Sequence, residues 1–557
     1  MHLLPAICDN AHGASEATGG CARRQLPEQS TSPREERMAN VQRPNVLLIM
    51  TDEQRADHVG FGGHELVSTP NLDALAGSGT RFDRAYVANP ICMPNRSSIL
   101  TGRMPSAHGT RVNGISLDAD AMTFARVLRD NGYRTGLVGK SHLQNLGHGS
   151  EQVAHWLPRA SGDAVTRPRP ENWDRWENVE EHRARYVAVP EDFYGFEHVR
   201  LVGGNSASAA GHYYQWLLQQ GVDPTRLQGR ANAERAYGSW EQVWQTPMPE
   251  DLYPTSYIAD ECVEFLEGQR DQESPFLLWC SFPDPHHPFA PPRRLYDMYS
   301  PGDVPVPESF HDQHERSLPH YQAMVAQRGV PQGAFTGWAA TEEQYRVAAA
   351  VQFGMITMID EAIGRIMATL ARLGLDESTV VIFTSDHGDM FGDHGLMLKH
   401  AMHYEACTRV PLVVRAPGYQ AGSSDSLVSS LDIASTILDL CGVDSYRGTQ
   451  GHSLEPLLSE PTRRLREALL VEEDEIFGLP GLPGPIRMRT LLTGQARLTT
   501  YAGQQAGELF DLVDDPLEMT NRWDADRSRT LRSDMSELLN QTMMSYMDEG
   551  VAPTHTA

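Results

Sequence analysis

The chain has 557 residues, enough for one large α/β domain with a smaller companion and a substantial core that needs no disulfide framework. Apolar residues make up 40% and charged residues 22%, an ordinary globular composition that excludes collagen, coiled coil and wholesale disorder. Basic residues number 47 and acidic residues 73, a formal charge of −26; this argues against a broad nucleic-acid face, and an anionic substrate would need a local cationic pocket.

Residues 1–42 lack an apolar stretch of signal-peptide length and are rich in polar and small residues, so a disordered extension is expected there, with Met38 as an alternative start. The seven cysteines (Cys8, Cys21, Cys92, Cys262, Cys280, Cys407 and Cys441) include no Cys-x-x-Cys pair, and the odd number favours a reducing compartment. With no export signal visible, a cytoplasmic location is expected. No run of eighteen apolar residues occurs, so no membrane span or membrane partner is expected.

Asn45 to Met50 is a continuous apolar run ending in Thr51-Asp52, the pattern of a buried parallel strand. Residues 145 to 255 break the rhythm and are rich in Trp, Arg and Glu; they read as a long insertion, either over a site or as a peripheral subdomain. The tryptophans Trp156, Trp173, Trp176, Trp216, Trp240 and Trp244 could stack on a sugar, but filling the insertion's own core is the simpler reading. Phe276 to Phe282 is another apolar strand. Met355, Ile359, Ile363, Ile366 and Leu370 recur at helical spacing before Gly374 and a further apolar run, Thr379 to Thr384, ending in Ser385-Asp386. Pro411 to Val414, with its neighbours, reads as a fourth strand. From about residue 460 the pattern changes to short strands with Gly-Pro punctuation at residues 478 to 485, marking a small C-terminal domain.

Ligands in open α/β sheets bind beyond the carboxyl ends of strands. Two strands here end in Asp52-Glu53 and Asp386-His387, oxygen-rich sets suited to a hard divalent cation; each alone reads as a cap or an Asx turn. Cys92-Met93-Pro94-Asn95-Arg96 puts a cysteine in a Pro-rich turn leading into a helix, where terminal N–H groups favour negative charge. From the spacing this is either a buried structural cysteine or a thiolate nucleophile with Arg96 nearby.

Cys92-x-Pro94-x-Arg96, followed by Leu100-Thr101-Gly102, resembles the signature of the sulfatase family. Other elements agree in order: TDEQRAD around Asp52 and Glu53, residues 69 to 86 before the cysteine, Gly139-Lys140-Ser141-His142, Pro285-His286-His287-Pro288, Ser385-Asp386-His387-Gly388-Asp389, Lys399 with Glu405, and Glu508 through Asp515-Pro516. The similarity spans roughly residues 43 to 545. Two positions depart from the family: Asn95 stands where Ser or Ala is usual, and Glu53 stands in place of Asp, Asn or Gln.

The resemblance implies an alkaline-phosphatase-like α/β fold, a large mixed or parallel sheet sandwiched by helices, with a catalytic domain at 43–460, a small C-terminal α+β subdomain at 461–545 and a tail at 546–557. It implies hydrolysis of small-molecule or saccharide sulfate monoesters to an alcohol and inorganic sulfate. In the family a formylglycine-generating enzyme converts the cysteine, here Cys92, to formylglycine. The hydrated aldehyde attacks through one hydroxyl, and the covalent ester collapses when the second is deprotonated. The family pattern assigns Asp52, Glu53, Cys92, Asp386 and His387 to one divalent cation, expected to be Ca²⁺ with Mg²⁺ or Mn²⁺ as alternatives. Arg96 would hold the nucleophile, and Lys140 and Lys399 would neutralise charge on the transferring group. His286 would protonate the leaving oxygen, His142 would take a proton, and Asn113 would donate to a sulfate oxygen. His400 and His403 beside Lys399 are expected to be incidental, and Asp393-His394 to be a loop turn and not a second metal site. The competing reading within the superfamily is phosphonate monoester or phosphodiester hydrolysis; that branch tends to lack the Lys and His that Lys140 and His142 supply. A thiolate-dependent hydrolase and a catalytically dead glycan-binding protein are the rival classes.

Overall fold

Asn45–Thr51 forms strand β1, buried from Val46 onward, because its alternate side chains enter two different cores. Val46, Leu48 and Met50 belong to one apolar cluster, and Leu47 and Ile49 to another on the opposite face. A strand covered on both faces needs apolar residues at every position, which explains the unbroken run. The computed structural model describes residues 43–147, 169, 171–270, 272–331, 336–552 and 554. The expected extension at 1–42 and Trp156 lie outside the described residues.

The further strands of the main sheet are β2 (Thr80–Phe82), β3 (Arg134–Gly139), β4 (His198–Gly203), β5 (Ala210–Gly211), β6 (Phe276–Ser281), β7 (Thr379–Ser385), β8 (Leu412–Arg415) and β9 (Gly422–Ser424). Their order is β9-β2-β8-β7-β1-β6-β3-β4-β5. The centre, β7-β1-β6-β3-β4, is parallel, whereas β8 runs antiparallel to both β7 and β2. The expected fourth apolar strand is thus β8. It is an antiparallel member, paired with β7 from Val381 opposite Arg415 to Thr384 opposite Leu412.

Helix Glu342–Leu373 covers one face. It starts with a capping box between Thr341 and Gln344 and ends where Gly374 takes the left-handed conformation, φ 69°. Ile359, Ile363, Ile366 and Leu370 enter the cluster beneath the sheet, while Met355 joins a neighbouring one. Among the described residues this is the one helix long and apolar enough to cross a membrane by length and composition, and it lies buried as a core helix.

The reading of residues 145 to 255 as wholly an insertion is corrected by β4, which pairs in parallel with β3 inside the main sheet. Arg200 interrupts its apolar run and binds Glu261 at 3.0 Å, which hid the strand. Trp240 and Trp244 are buried, Trp240 against Trp338 and Phe289, so these two rings fill the core.

At the C-terminal end, β10 (Ala468–Glu475), β11 (Ile486–Thr493), β12 (Ala496–Tyr501) and β13 (Gly507–Asp511) form an antiparallel sheet. The residue 478–485 Gly-Pro segment is the connection between β10 and β11. Met535 and Leu539 of helix Arg529–Ser545 pack onto this sheet through Leu470, Leu491, Leu498 and Leu509.

Candidate active site

Neighbouring parallel strands β1, β7, β6 and β3 end at one place. Thr51 pairs with Ser385, so the segments leaving β1 and β7 emerge side by side. The Asp386 N–H donates to Thr51 O at 3.1 Å, and the Glu53 N–H donates to Asp386 Oδ1 at 3.0 Å. Beyond β3 the Lys140 N–H donates to Ser281 O of β6 at 2.9 Å, and beyond β6 the chain continues to Asp284 and His286.

Cys92 is the first residue of helix Cys92–Thr101. Asn89 prepares this entry, its Oδ1 accepting the Ile91 N–H at 2.8 Å. Cys92 Sγ lies 3.1 Å from His387 Nε2, 3.4 Å from Lys399 Nζ and 3.9 Å from Asp52 Oδ1, all in a buried setting. Burial pushes the thiol up, but Lys399, His387 and Lys140 outweigh it and hold it well below the usual thiol range.

Arg96, fully buried, ties the site together. Its Nε donates to Asp386 Oδ2 at 2.6 Å and its second nitrogen to Asp52 Oδ2 at 3.0 Å; the third donates to Lys140 O at 2.7 Å and to Ser281 Oγ at 2.8 Å. Lys140 Nζ lies 2.6 Å from Asp52 Oδ2. Burial and the Cys92 thiolate raise the Asp52 carboxyl, but Lys140 and Arg96 bring it down to about 2.

Lys399 Nζ sits between two groups of ligands, 2.9 Å from Glu53 Oε2, 3.3 Å from His286 Nε2 and 3.0 Å from His387 Nε2. His286 Nε2 lies 2.7 Å from Glu53 Oε2. Burial would discharge this imidazole, yet Glu53 raises it to about 9, so His286 holds a proton at neutral pH. His142 is the opposite case: burial brings it down to about 4, leaving a neutral ring that can accept a proton. Asn113 is exposed, and its Oδ1 accepts the Met93 N–H at 3.2 Å, placing it beside the start of the cysteine helix.

Asp52, Cys92, Asp386 and His387 offer four donor atoms within 4.8 Å of one another. Two carboxylates and an imidazole fit a divalent cation, and the ammonium of Lys399 already lies against His387 and Cys92. Glu53, which the family pattern assigns to the same shell, has a left-handed backbone at φ 63°, and its carboxylate also groups with His286 and His287.

Sequence reasoning missed several residues. Asn205 Oδ1 accepts from Lys140 Nζ at 2.7 Å, and its Nδ2 lies 2.9 Å from His286 Nδ1. It follows β4, so recognition of that strand would have flagged it. Buried Glu177 accepts the N–H groups of His142, Leu143 and Gln144 at 2.7 to 3.0 Å, holding the loop after Lys140. The acidic end of β10 docks beside Lys399: Glu473 binds His403 at 2.8 Å, and Glu475 binds His400 at 2.6 Å. Asp393 and His394 lie in a 3₁₀ turn, with His394 paired to Asp312 at 2.8 Å in a separate cluster that includes His314.

The sequence model of the Sulfatase family matches residues 44–443, and that of the N-sulphoglucosamine sulphohydrolase C-terminal region matches residues 392–545. An arylsulfatase of Clostridium perfringens is 28% identical over 497 residues, 86% of this chain and 90% of that protein. An N-acetylglucosamine-6-O-sulfatase of Bacteroides thetaiotaomicron is 25% identical over 91% of this chain and 87% of its own length. The crystal structure of a phosphonate monoester hydrolase of Agrobacterium radiobacter superposes with a TM-score of 0.71 at 25% identity, covering 92% of this chain and 98% of that one. The chain belongs to the sulfatase family, within the alkaline phosphatase superfamily. It is a sulfuric ester hydrolase with the α/β architecture of that superfamily and a smaller C-terminal domain.

Proposed function

We propose that this enzyme cleaves sulfate monoesters to an alcohol and inorganic sulfate, with Cys92 converted to formylglycine and one divalent cation bound. The observation that supports this best is the convergence of Lys399, His387 and Asp52 within 3.9 Å of Cys92 Sγ, with the protonated His286 next to Lys399. Asp52, Asp386 and His387, with Glu53 and residue 92, would hold the cation, which supplies Lewis-acid polarisation of a non-bridging ester oxygen. Formylglycine supplies a hydrated aldehyde as nucleophile.

The chain's own groups do the rest. Lys140 and Lys399 offset charge on the sulfuryl oxygens in a buried pocket, where fixed cations act more strongly than in water. His286 carries the proton needed by the leaving oxygen on Nε2, and neutral His142 takes a proton from the nucleophile. Arg96 holds Asp52 and Asp386 in place by donating to both, and its charge opposes the burial that raises the Asp386 carboxyl. The similarity to an N-acetylglucosamine-6-O-sulfatase supports a saccharide sulfate as substrate.

Phosphonate monoester hydrolysis is the second reading, favoured by the phosphonate hydrolase superposition. Catalytic efficiencies on nitrophenyl sulfate and a nitrophenyl phosphonate decide between the two; a much larger value on the phosphonate overturns the sulfate assignment. The mass of the tryptic peptide Ala85 to Arg96 tests formylglycine, and an intact thiol in active native enzyme would favour a cysteine nucleophile.

A further inference from the structure

Asn95 stands where the family signature usually carries Ser or Ala, and it is buried. It lies in the first turn of helix Cys92–Thr101, its N–H donating to Ile91 O at 3.0 Å. Its Nδ2 donates to the backbone carbonyl of Asp386. Its Oδ1 accepts from Ser430 Oγ at 2.8 Å and from the Ala88 N–H at 3.2 Å. The Ala88 N–H also donates to Ser430 Oγ at 3.0 Å, so Asn95, Ser430 and Ala88 form a closed triangle. An amide offers two donors and a carbonyl acceptor on one rigid group, which neither a serine nor an alanine can reproduce.

Residues 95 and 96 therefore grip Asp386 twice, Asn95 by its carbonyl and Arg96 by its carboxylate. The same Asp386 carbonyl belongs to the peptide that leads to His387. Freeing it would let both side chains drift from Asp52 and Cys92.

We propose that Asn95, braced by Ser430, is a positioning residue that fixes the Asp386-His387 peptide and thereby sets the affinity of the site for its cation. This rests on the cation reading given above. Partners of this kind, one bond removed from the metal, typically change metal affinity or activity by about 10–100-fold when lost.

The test uses the full chain, stripped with a chelator and titrated with Mn²⁺, free Mn²⁺ being read by electron paramagnetic resonance. Wild type, Asn95→Ala and Ser430→Ala are compared, with formylglycine content measured by peptide mass in each preparation so that turnover is expressed per converted site. Asn95→Ala is expected to raise the Mn²⁺ dissociation constant about 10–100-fold. Its kcat/KM per converted site should recover towards wild type at saturating Mn²⁺. Ser430→Ala, which keeps the bond to Asp386, is expected to move the constant the same way by less. Dissociation constants unchanged in both variants while wild type binds Mn²⁺ would overturn the proposal. If Asn95→Ala does not fold, an unchanged constant in Ser430→Ala overturns it alone. Failure of wild type to bind Mn²⁺ would remove the cation reading, and this inference with it.

Discussion

Replacing Arg96 with methionine keeps much of the side-chain volume and removes the charge that two buried carboxylates share. Four hydrogen bonds are lost, two of them to Asp386 and Asp52 at 2.6 and 3.0 Å. Asp52 keeps Lys140 Nζ at 2.6 Å, and Asp386 keeps the Glu53 N–H at 3.0 Å, so the carboxylates are only partly stranded. Breaking a buried ion pair from one side costs about 3–5 kcal/mol. At about 2 cal/mol/K of unfolding entropy per residue, a chain of this length changes by roughly 1 kcal/mol per degree, so the melting temperature should fall by about 3–5 °C in chelator. A cation held by Asp52 and Asp386 would replace part of the missing charge, so the loss should shrink in saturating Mn²⁺. Calorimetry in both conditions reads the difference. A loss below about 1 kcal/mol in chelator, less than a buried unpaired carboxylate costs, would refute the reasoning. An equal loss with and without Mn²⁺ would refute the charge-sharing part.

Lys399→Ala should lower kcat/KM on nitrophenyl sulfate by about 10²–10³-fold, the usual cost of removing one preorganised charge stabiliser; a loss under tenfold would take Lys399 out of the chemistry. Asn205→Ala releases both Lys140 and His286 and should lower kcat/KM by about tenfold or more, as loss of supporting contacts does elsewhere, with the melting temperature nearly unchanged; full activity would make Asn205 incidental. Burial raises the Asp284 carboxyl to about 7, against hydrogen bonds from Thr255 and Tyr253. The folded chain then holds a proton that the unfolded chain releases near 3.8, so this group's contribution is complete below that pH and is lost as pH rises through 7. Asp284→Asn should remove the decline, worth up to about 4 kcal/mol in all at 1.36 kcal/mol per unit and about 3 kcal/mol between pH 5 and 8, where urea midpoints check it; an unchanged pH slope would contradict the assignment.

The local elements of the site were legible because each is a short pattern. An apolar run ending in a carboxylate marks a strand end, and Cys92 to Arg96 marks a cysteine at a helix start. Strand β4 was not legible, since Arg200 breaks its apolar pattern and its partner β3 lies far back in the chain. With it went Asn205. The contacts of Glu53 with His286, His287 and Lys399 were not legible either, because no spacing rule reports its left-handed backbone angle. Asn95 looked like an imperfection in a motif, and its bonds to Ser430 and Asp386 give it a place.

The sequence by itself determined the chemical inventory: a cysteine at a helix start, paired carboxylates at strand ends, and lysines and histidines in family order. Tertiary structure alone decided which of them meet. Glu53 and Asp386 are 333 residues apart in the chain and 3.0 Å apart at their bonded atoms, a proximity that parallel pairing of β1 with β7 creates. It also decided their charge states. His286 and His142 are the same residue type, yet one is pushed up to about 9 by Glu53 and the other down to about 4 by burial. A pKa responds to the charges and solvent within a few ångströms, and only the folded chain sets those.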